Sequence, residues 1–215
     1  REIERLRKKV ENDKYFKDIP SIQKKINSNG FYFHATDDLP ENRKMFFEFI
    51  NEINCSFEMI VARKKLYIFE KLHQNQESIF YADILSHLLK NKFKLDEQLH
   101  LTIAQRGSTT RNNTLNKAFN MAMERFKKNN KIKDINLILR FNVQNNYTEP
   151  ILDIADYFCW SVQRVFERGD ARYYNFIKDK IKLVIDLYDS DNYKGSKNYY
   201  KPRTNPLTKK NCLKK

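Results

Sequence analysis

The stretch "EPILDIADYFCWSVQRVFERGD" (149–170) holds the residues best spaced to do chemistry: two aspartates, Asp153 and Asp156, inside an otherwise apolar run. Residues three apart on a helix share a face, and Trp160, four beyond Asp156, falls on the same side. Ile151, Leu152, Ile154, Ala155, Phe158, Val162 and Val165 cover much of the remaining circumference. A helix that is apolar over most of its surface is a buried helix, and burying an unpaired carboxylate is costly. The acidic face must therefore open on a cleft, an ion or a basic partner. Two readings stand side by side. The carboxylates could serve the helix itself, favouring the positive end of its dipole by roughly 0.3–1 kcal/mol each, or pairing with Arg164, Arg168 or another segment. Alternatively they form half of a metal-binding active site.

Other residues carry weaker signals. His34, in "FYFHA" (31–35), could orient a substrate or act as a base, or be structural. Asp37 and Asp38 precede Pro40, where a cap on the next helix explains one of them without catalysis. Arg106 and Arg111 flank "GSTT" after a predicted strand, a candidate phosphate-contact loop. It is not a P-loop, because the Gly-Lys-Ser/Thr element is missing.

The elements that must position these groups follow from periodicity. "REIERLRKKVEN" places Ile3, Leu6 and Val10 on one helical face. "LPENRKMFFEFINEI" begins at Pro40 and buries Met45, Phe46, Phe49, Ile50 and Ile53. Helices are also predicted from about Ser78 to Asn91 and over "TTRNNTLNKAFNMAMERFKKN". Predicted strands are 31–35, 55–62, 99–104 and 135–143, and 172–187 contains more helix or a final strand. The order after the first helix is β-α-β-α-β-α-β-α, which argues an α/β fold with helices packed on a mixed sheet.

The chain has 215 residues and a formal net charge of +14. Eight Lys/Arg and no Asp or Glu fall between Tyr193 and Lys215, so this end supplies +8 of that charge. The expectation is one α/β domain over 1–190 and a basic, flexible tail over 191–215. "NYKGSKNYYKPRTNP" interleaves Tyr with Lys and Arg, a pattern in which cations follow a phosphate backbone and aromatics stack on unpaired bases. The same composition fits a solubilising tail. Cys55, Cys159 and Cys212 show no metal-ligand or disulfide spacing, so reduced thiols in a cytoplasmic protein are expected. No apolar run approaches the roughly 18 residues of a membrane span, and no signal peptide is visible.

"LDIADYFCWSVQRVFERGDARYYNFIKDKI" resembles the C-terminal signature of a bacterial and phage family of unknown function with a ribonuclease H-like fold. "GFYFHATDDLPENRKMFFEFI", "FEMIVARK" and "LHLTIAQRGSTTRNNTLNKAF" resemble it in the same order, so the likeness spans roughly residues 15–187. Members open with an Asp-Glu-Ser-Gly strand and later carry a Leu-Gln-x-Ala-Asp helix. Here Asp153 stands where the family has Gln, and the Asp-Glu-Ser-Gly strand does not occur in these residues. The resemblance implies that this strand precedes Arg1, so that the sheet lacks its first strand or strands here. It implies a nuclease of the phage-defence or mobile-element kind, with Asp156 as the late-helix metal ligand and Asp153 as an auxiliary. His34 would be a further catalytic candidate. Hard oxygen ligands suit Mg²⁺ or Mn²⁺, and two such ions could activate a water and stabilise a leaving oxygen. Lys64 matches a basic position of the family and, with Arg63 beside it, could contact a phosphate. The competing expectation is a non-catalytic module of the same fold, docking nucleic acid or a protein partner through its basic surface.

Overall fold

The computed structural model describes residues 1–90, 92–93, 98–105, 112–132 and 138–213. Three helices come first: α1 (Glu2–Asn12), α2 (Pro20–Asn29) and α3 (Pro40–Glu52). After β1 (Phe57–Val61) come α4 (Leu66–His73), α5 (Glu77–Leu89), β2 (Gln98–Ala104), α6 (Asn112–Asn130) and β3 (Ile138–Gln144). The chain then forms α7 (Ile151–Arg168), α8 (Arg172–Ile177), β4 (Ile181–Asp186) and β5 (Tyr199–Tyr200). Both halves of the ambiguous 172–187 stretch are real, a short helix and then a strand.

The architecture is mixed α/β, with two small sheets in place of one large one. Strand β1 pairs parallel with β4, and β4 pairs antiparallel with β5. Strands β2 and β3 form a separate parallel pair, in register from Gln98 opposite Ile138 to Ala104 opposite Gln144. Each sheet has its own apolar packing. The larger core gathers Val10, Phe33, Phe46, Ile50, Tyr157, Phe158, Val162 and Ile177 around α7. Burial of each such side chain stabilises by roughly 1.5–3 kcal/mol. A smaller core of Leu89, Phe93 and Ala122 joins α5 and α6 to Leu99 and Leu101 of β2.

Three expectations are corrected. The segment 31–35 is not a strand, and Ala35 already lies in a turn; four of its N–H groups go to side chains, as described below. Neither Asp37 nor Asp38 caps α3, whose N-cap is Leu39 without a side-chain bond. The basic end is not a free tail over its described length. Tyr200 and Leu207 are buried, β5 completes a sheet, and the Leu213 N–H donates to Phe166 O at 2.7 Å. Gly169 lies against that docked segment. At φ 65° it ends α7 in the left-handed region, where glycine is favoured, and a Cβ there would sit 3.4 Å from Lys209 O and 3.5 Å from the Cys212 Cβ. Among the described residues, no helix is long and apolar enough to cross a membrane.

Candidate functional site

The two aspartates of α7 face the segment 31–35. In extended chain, alternate N–H groups point to the same edge, about 6.6 Å apart. Here alternate N–H groups meet carboxylates instead of a neighbouring strand. The Phe31 N–H donates to Glu11 Oε1 at 2.8 Å, the Phe33 N–H to Asp153 Oδ2 at 3.1 Å, and the Ala35 N–H to Asp156 Oδ2 at 2.8 Å. Residues three apart on a helix rise about 4.5 Å, which side chains can stretch to match two steps of a strand. On the opposite edge the His34 N–H donates to Asp38 Oδ2 at 2.8 Å. Asp38 also accepts from Lys25 at 2.9 Å and from the Tyr157 hydroxyl at 2.7 Å.

The two aspartates differ in what else reaches them. Asp153 is fully buried. The Arg7 guanidinium donates to Oδ1 at 2.7 Å through one nitrogen and to Oδ2 at 2.9 Å through another, and also to Tyr147 O at 3.0 Å and Asn146 O at 2.6 Å. Burial pushes the Asp153 carboxyl up to about 7, against the pull of Arg7 and the Phe33 N–H. The acidic face predicted to need a cleft, an ion or a basic partner thus receives a basic partner at this position. Asp153 is closed to a metal ion.

Asp156 stays open. Its side chain is 26% exposed, and Oδ1 lies 3.9 Å from His34 Nε2. Burial raises its pKa, while the Ala35 N–H and His34 oppose that shift. Both residues line a cleft of about 540 Å³ with Tyr32, Asn145, Tyr147 and Cys159. Ala104, which ends β2, and Asn145, which follows β3, place this cleft at the carboxyl ends of parallel strands. Open α/β sheets bind ligands in that position. Cys159 is open to solvent on one side, yet the surrounding protein, and then the Asp156 charge, push its thiol up to about 11. It is a poor thiolate nucleophile in that state.

The residues present do not fit a two-ion centre. One of the two expected carboxylates is consumed by Arg7, and among the described residues no group of three or more His, Cys, Asp or Glu side chains could hold a metal ion. Of the expected phosphate contacts, Arg63 is committed elsewhere: it donates to Asp186 Oδ2 at 2.8 Å and to Asp189 Oδ2 at 3.0 Å. Lys64 reaches Glu77 at 2.5 Å and lies over the Phe69 ring at 4.3 Å. Arg106 and Arg111 lie outside the described residues.

One further cluster escaped sequence reasoning, and the basic C-terminal stretch singled out from the sequence forms a second. In one, buried Asp83 accepts from the Tyr188 hydroxyl at 2.7 Å and from Arg125 at 2.5 Å, with His73 Nε2 at 3.3 Å. Burial favours the neutral acid, but the bonds from Arg125, Tyr188 and His73 outweigh it and hold the Asp83 pKa below its usual value. His87 beside it is pushed down to about 4 by burial and by the Arg125 charge. The second cluster is a groove of about 400 Å³ at the folded C-terminal segment, lined by Lys182, Lys201, Arg203 and Asp179 among others. A turn closed by Lys201 and Asn205, each donating its N–H to the other's carbonyl at 2.9 and 3.0 Å, presents Arg203. The Asn205 amide ties that turn to Lys197 O and Tyr199 O. Among the described residues, none of these three cations forms an ion pair. The signal for Arg7 was in the sequence, since it falls four after Ile3 and three before Val10 on the apolar stripe of α1. For Asp83 there was no signal, because its partners come from α4, α6 and the segment after β4.

Compared with protein-family models, with curated proteins and with solved structures, the chain matches none.

Proposed function

We propose that this chain is a non-catalytic nucleic-acid-binding module whose folded, basic C-terminal segment holds phosphates. The observation that carries this reading is the groove lined by Lys182, Lys201 and Arg203, none of which forms an ion pair among the described residues although Asp179 lines the groove with them. Exposed cations draw counterion-coated polyanions whatever their sequence. Tyr199, two residues before Lys201 on β5, is 38% exposed and can stack on an unpaired base. The test is fluorescence anisotropy of a labelled single-stranded oligonucleotide across a salt series. Affinity is expected to fall steeply with salt, by about 0.7 in slope for each contacted phosphate. The double substitution Lys201→Glu/Arg203→Glu is expected to weaken binding about tenfold or more and to flatten that slope by about 1–2. A salt-independent affinity, or one indifferent to this double substitution, refutes the proposal.

A metal-dependent nuclease with a ribonuclease H-like fold is the second reading, favoured by Asp156 Oδ1 facing a cleft beside His34. That chemistry needs carboxylates beyond those the described residues bring together. Cleavage of DNA or RNA that requires Mg²⁺ or Mn²⁺ and is lost in Asp156→Ala would establish it.

A further inference from the structure

We propose that Tyr199, Tyr193 and Tyr67 form a row on which the bases of an unpaired strand stack, so that the chain selects single strands over duplexes. This rests on the nucleic-acid-binding reading above, with the phosphates held in the basic C-terminal groove. Tyr67 is 54% exposed, Tyr193 50% and Tyr199 38%. Among the described residues, none of the three rings packs on another ring or under a cation, whereas exposed Tyr15 meets the Phe16 ring edge-on at 5.1 Å. The three share one patch. Tyr199 of β5 pairs with Ile185 of β4, and the Tyr193 hydroxyl donates to Leu187 O at 2.5 Å. Two residues of extended chain span roughly 6.6 Å. Tyr67 and Tyr193 in turn line one cleft of about 530 Å³ with Leu72 and Leu187. The Tyr193 hydroxyl is pushed above its usual pKa first by burial and then by neighbours that include Tyr67 and Tyr199, so the three phenol ends lie within reach of one another's charge.

The turn that carries two of these rings is held in place by the protein itself. Asn198 is 4% exposed. Its Nδ2 donates to Asp186 O at 3.0 Å, its N–H donates to Asn192 O at 3.1 Å, and its carbonyl accepts from the Asp186 N–H at 2.9 Å. A platform already ordered loses little freedom on binding. The surrounding charge suits a polyanion. Lys194 and Lys197, between Tyr193 and Tyr199, are exposed, and Lys201 and Arg203 follow in the groove; among the described residues none of them forms an ion pair. Of the nearby acids, Asp186 and Asp189 are held by Arg63. Exposed Asp191 and Asp179 in the groove are outnumbered by these cations. A duplex keeps its bases paired and stacked, so it would answer the cations and leave the rings idle. An acidic peptide would do the same. An unpaired strand offers phosphates to the cations and base faces to the rings.

The test follows fluorescence anisotropy of labelled oligothymidylate, oligouridylate and a DNA duplex of the same length, each titrated with the full chain across a salt series. At least one single strand is expected to bind about tenfold more tightly than the duplex, and the two single-stranded arms tell whether DNA or RNA fills the row. Tyr67→Ala and Tyr199→Ala should each weaken single-strand binding about fivefold or more. The salt slope and the duplex affinity should stay unchanged, because neither variant removes a charge. Tyr199→Phe, which keeps the ring, should bind like the wild type, and so should Tyr15→Ala. A duplex bound as tightly as both single strands, or alanine variants of Tyr67 and Tyr199 that bind like the wild type, would overturn the proposal. A loss in Tyr15→Ala as large as that in Tyr67→Ala would do the same. The contrast between single strand and duplex needs no variant, so it decides the matter even if a variant does not fold. Lys201→Glu/Arg203→Glu separates the row from the groove. Single-strand affinity lost in that double variant but kept in the alanine variants removes the row alone, whereas the reverse removes the groove and keeps the row.

Discussion

Asp153 and Asp83 are both buried carboxylates held by an arginine, yet their protonation is pushed in opposite directions. Asp153 sits deep under α1 and α7, fully sealed, and desolvation prevails over Arg7 and one N–H. Asp83 keeps some exposure and collects hydrogen bonds from Arg125, Tyr188 and His73, which together prevail over desolvation. Depth of burial against number of donors decides which form each region prefers. In the first region the carboxylate ties the segment 31–35 to a helix. In the second it organises a side-chain network beneath a cleft of about 530 Å³.

The hardest blow to the first region is Arg7→Met. Removing one partner of a buried pair typically costs about 3–5 kcal/mol, which for a chain of this size lowers Tm by roughly 6–20 °C. Thermal unfolding checks this. Arg7→Met/Asp153→Leu should recover most of the loss, because apolar replacement of both partners is often neutral. A double variant no better than the single one would mean that the Arg7 bonds to Asn146 O and Tyr147 O matter more than the ion pair.

Changing pH should move the two regions in opposite directions. Folded Asp153, held up near 7, binds a proton between about pH 4 and 7 where an unfolded aspartate does not. Its contribution to stability therefore declines as pH rises through that window. His87, pushed down to about 4, is neutral in the folded chain where an unfolded histidine, titrating near 6.5, is charged. Its contribution is lost as pH falls from about 6.5 to about 4. Asp83, held below its usual value, adds a loss of the same sign at still lower pH. Measured as Tm from pH 7.5 to 4, Asp153→Asn should make the acid-side decline steeper and His87→Gln should make it shallower. Shifts of the same sign in both variants would break the contrast.

Smaller effects are expected nearer the surface of the same interface. Gly30 precedes the segment 31–35 at φ 84°, and a Cβ there would approach Glu11 Oε1, at 3.5 Å. Gly30→Ala should cost roughly 1–3 kcal/mol in chemical denaturation, because φ 84° with ψ 164° is a backbone conformation essentially reserved for glycine. Asp156→Asn keeps an oxygen for the Ala35 N–H and should change stability by less than about 1 kcal/mol. A loss as large as that of Arg7→Met would make Asp156 as structural as Asp153.

Much of the scaffold was legible because it repeats locally. The apolar stripes of "LPENRKMFFEFINEI" and "LDIADYFCWSVQRVF" declare α3 and α7 within a residue or two, and "LHLTIA" declares β2. Apolar alternation in "FYFHA" suggested a strand that the structure does not form. It could not reveal that carboxylates from α1 and α7, up to 121 positions away, would replace a partner strand. The same gap hid the partner of Asp153, since Arg7 lies 146 positions earlier. Arg63 looked like a free cation at a strand end until β4 and the turn after it brought Asp186 and Asp189 to it. The basic end looked disordered because its composition is polar, yet buried Tyr200 and Leu207, the β5 pairing and the Leu213 N–H bond dock it. Periodicity reports neighbours within a turn or a strand. Ion pairs across the sequence depend on packing that no window contains.

Metal-free phosphate binding is best checked in one series, an oligonucleotide titrated with the full chain in EDTA and again in Mn²⁺ at fixed ionic strength. The same affinity in both, with the oligonucleotide intact, is the result predicted for phosphates held by lysine and arginine alone. Affinity that disappears in EDTA and returns with Mn²⁺, or an oligonucleotide cut only when Mn²⁺ is present, would contradict it.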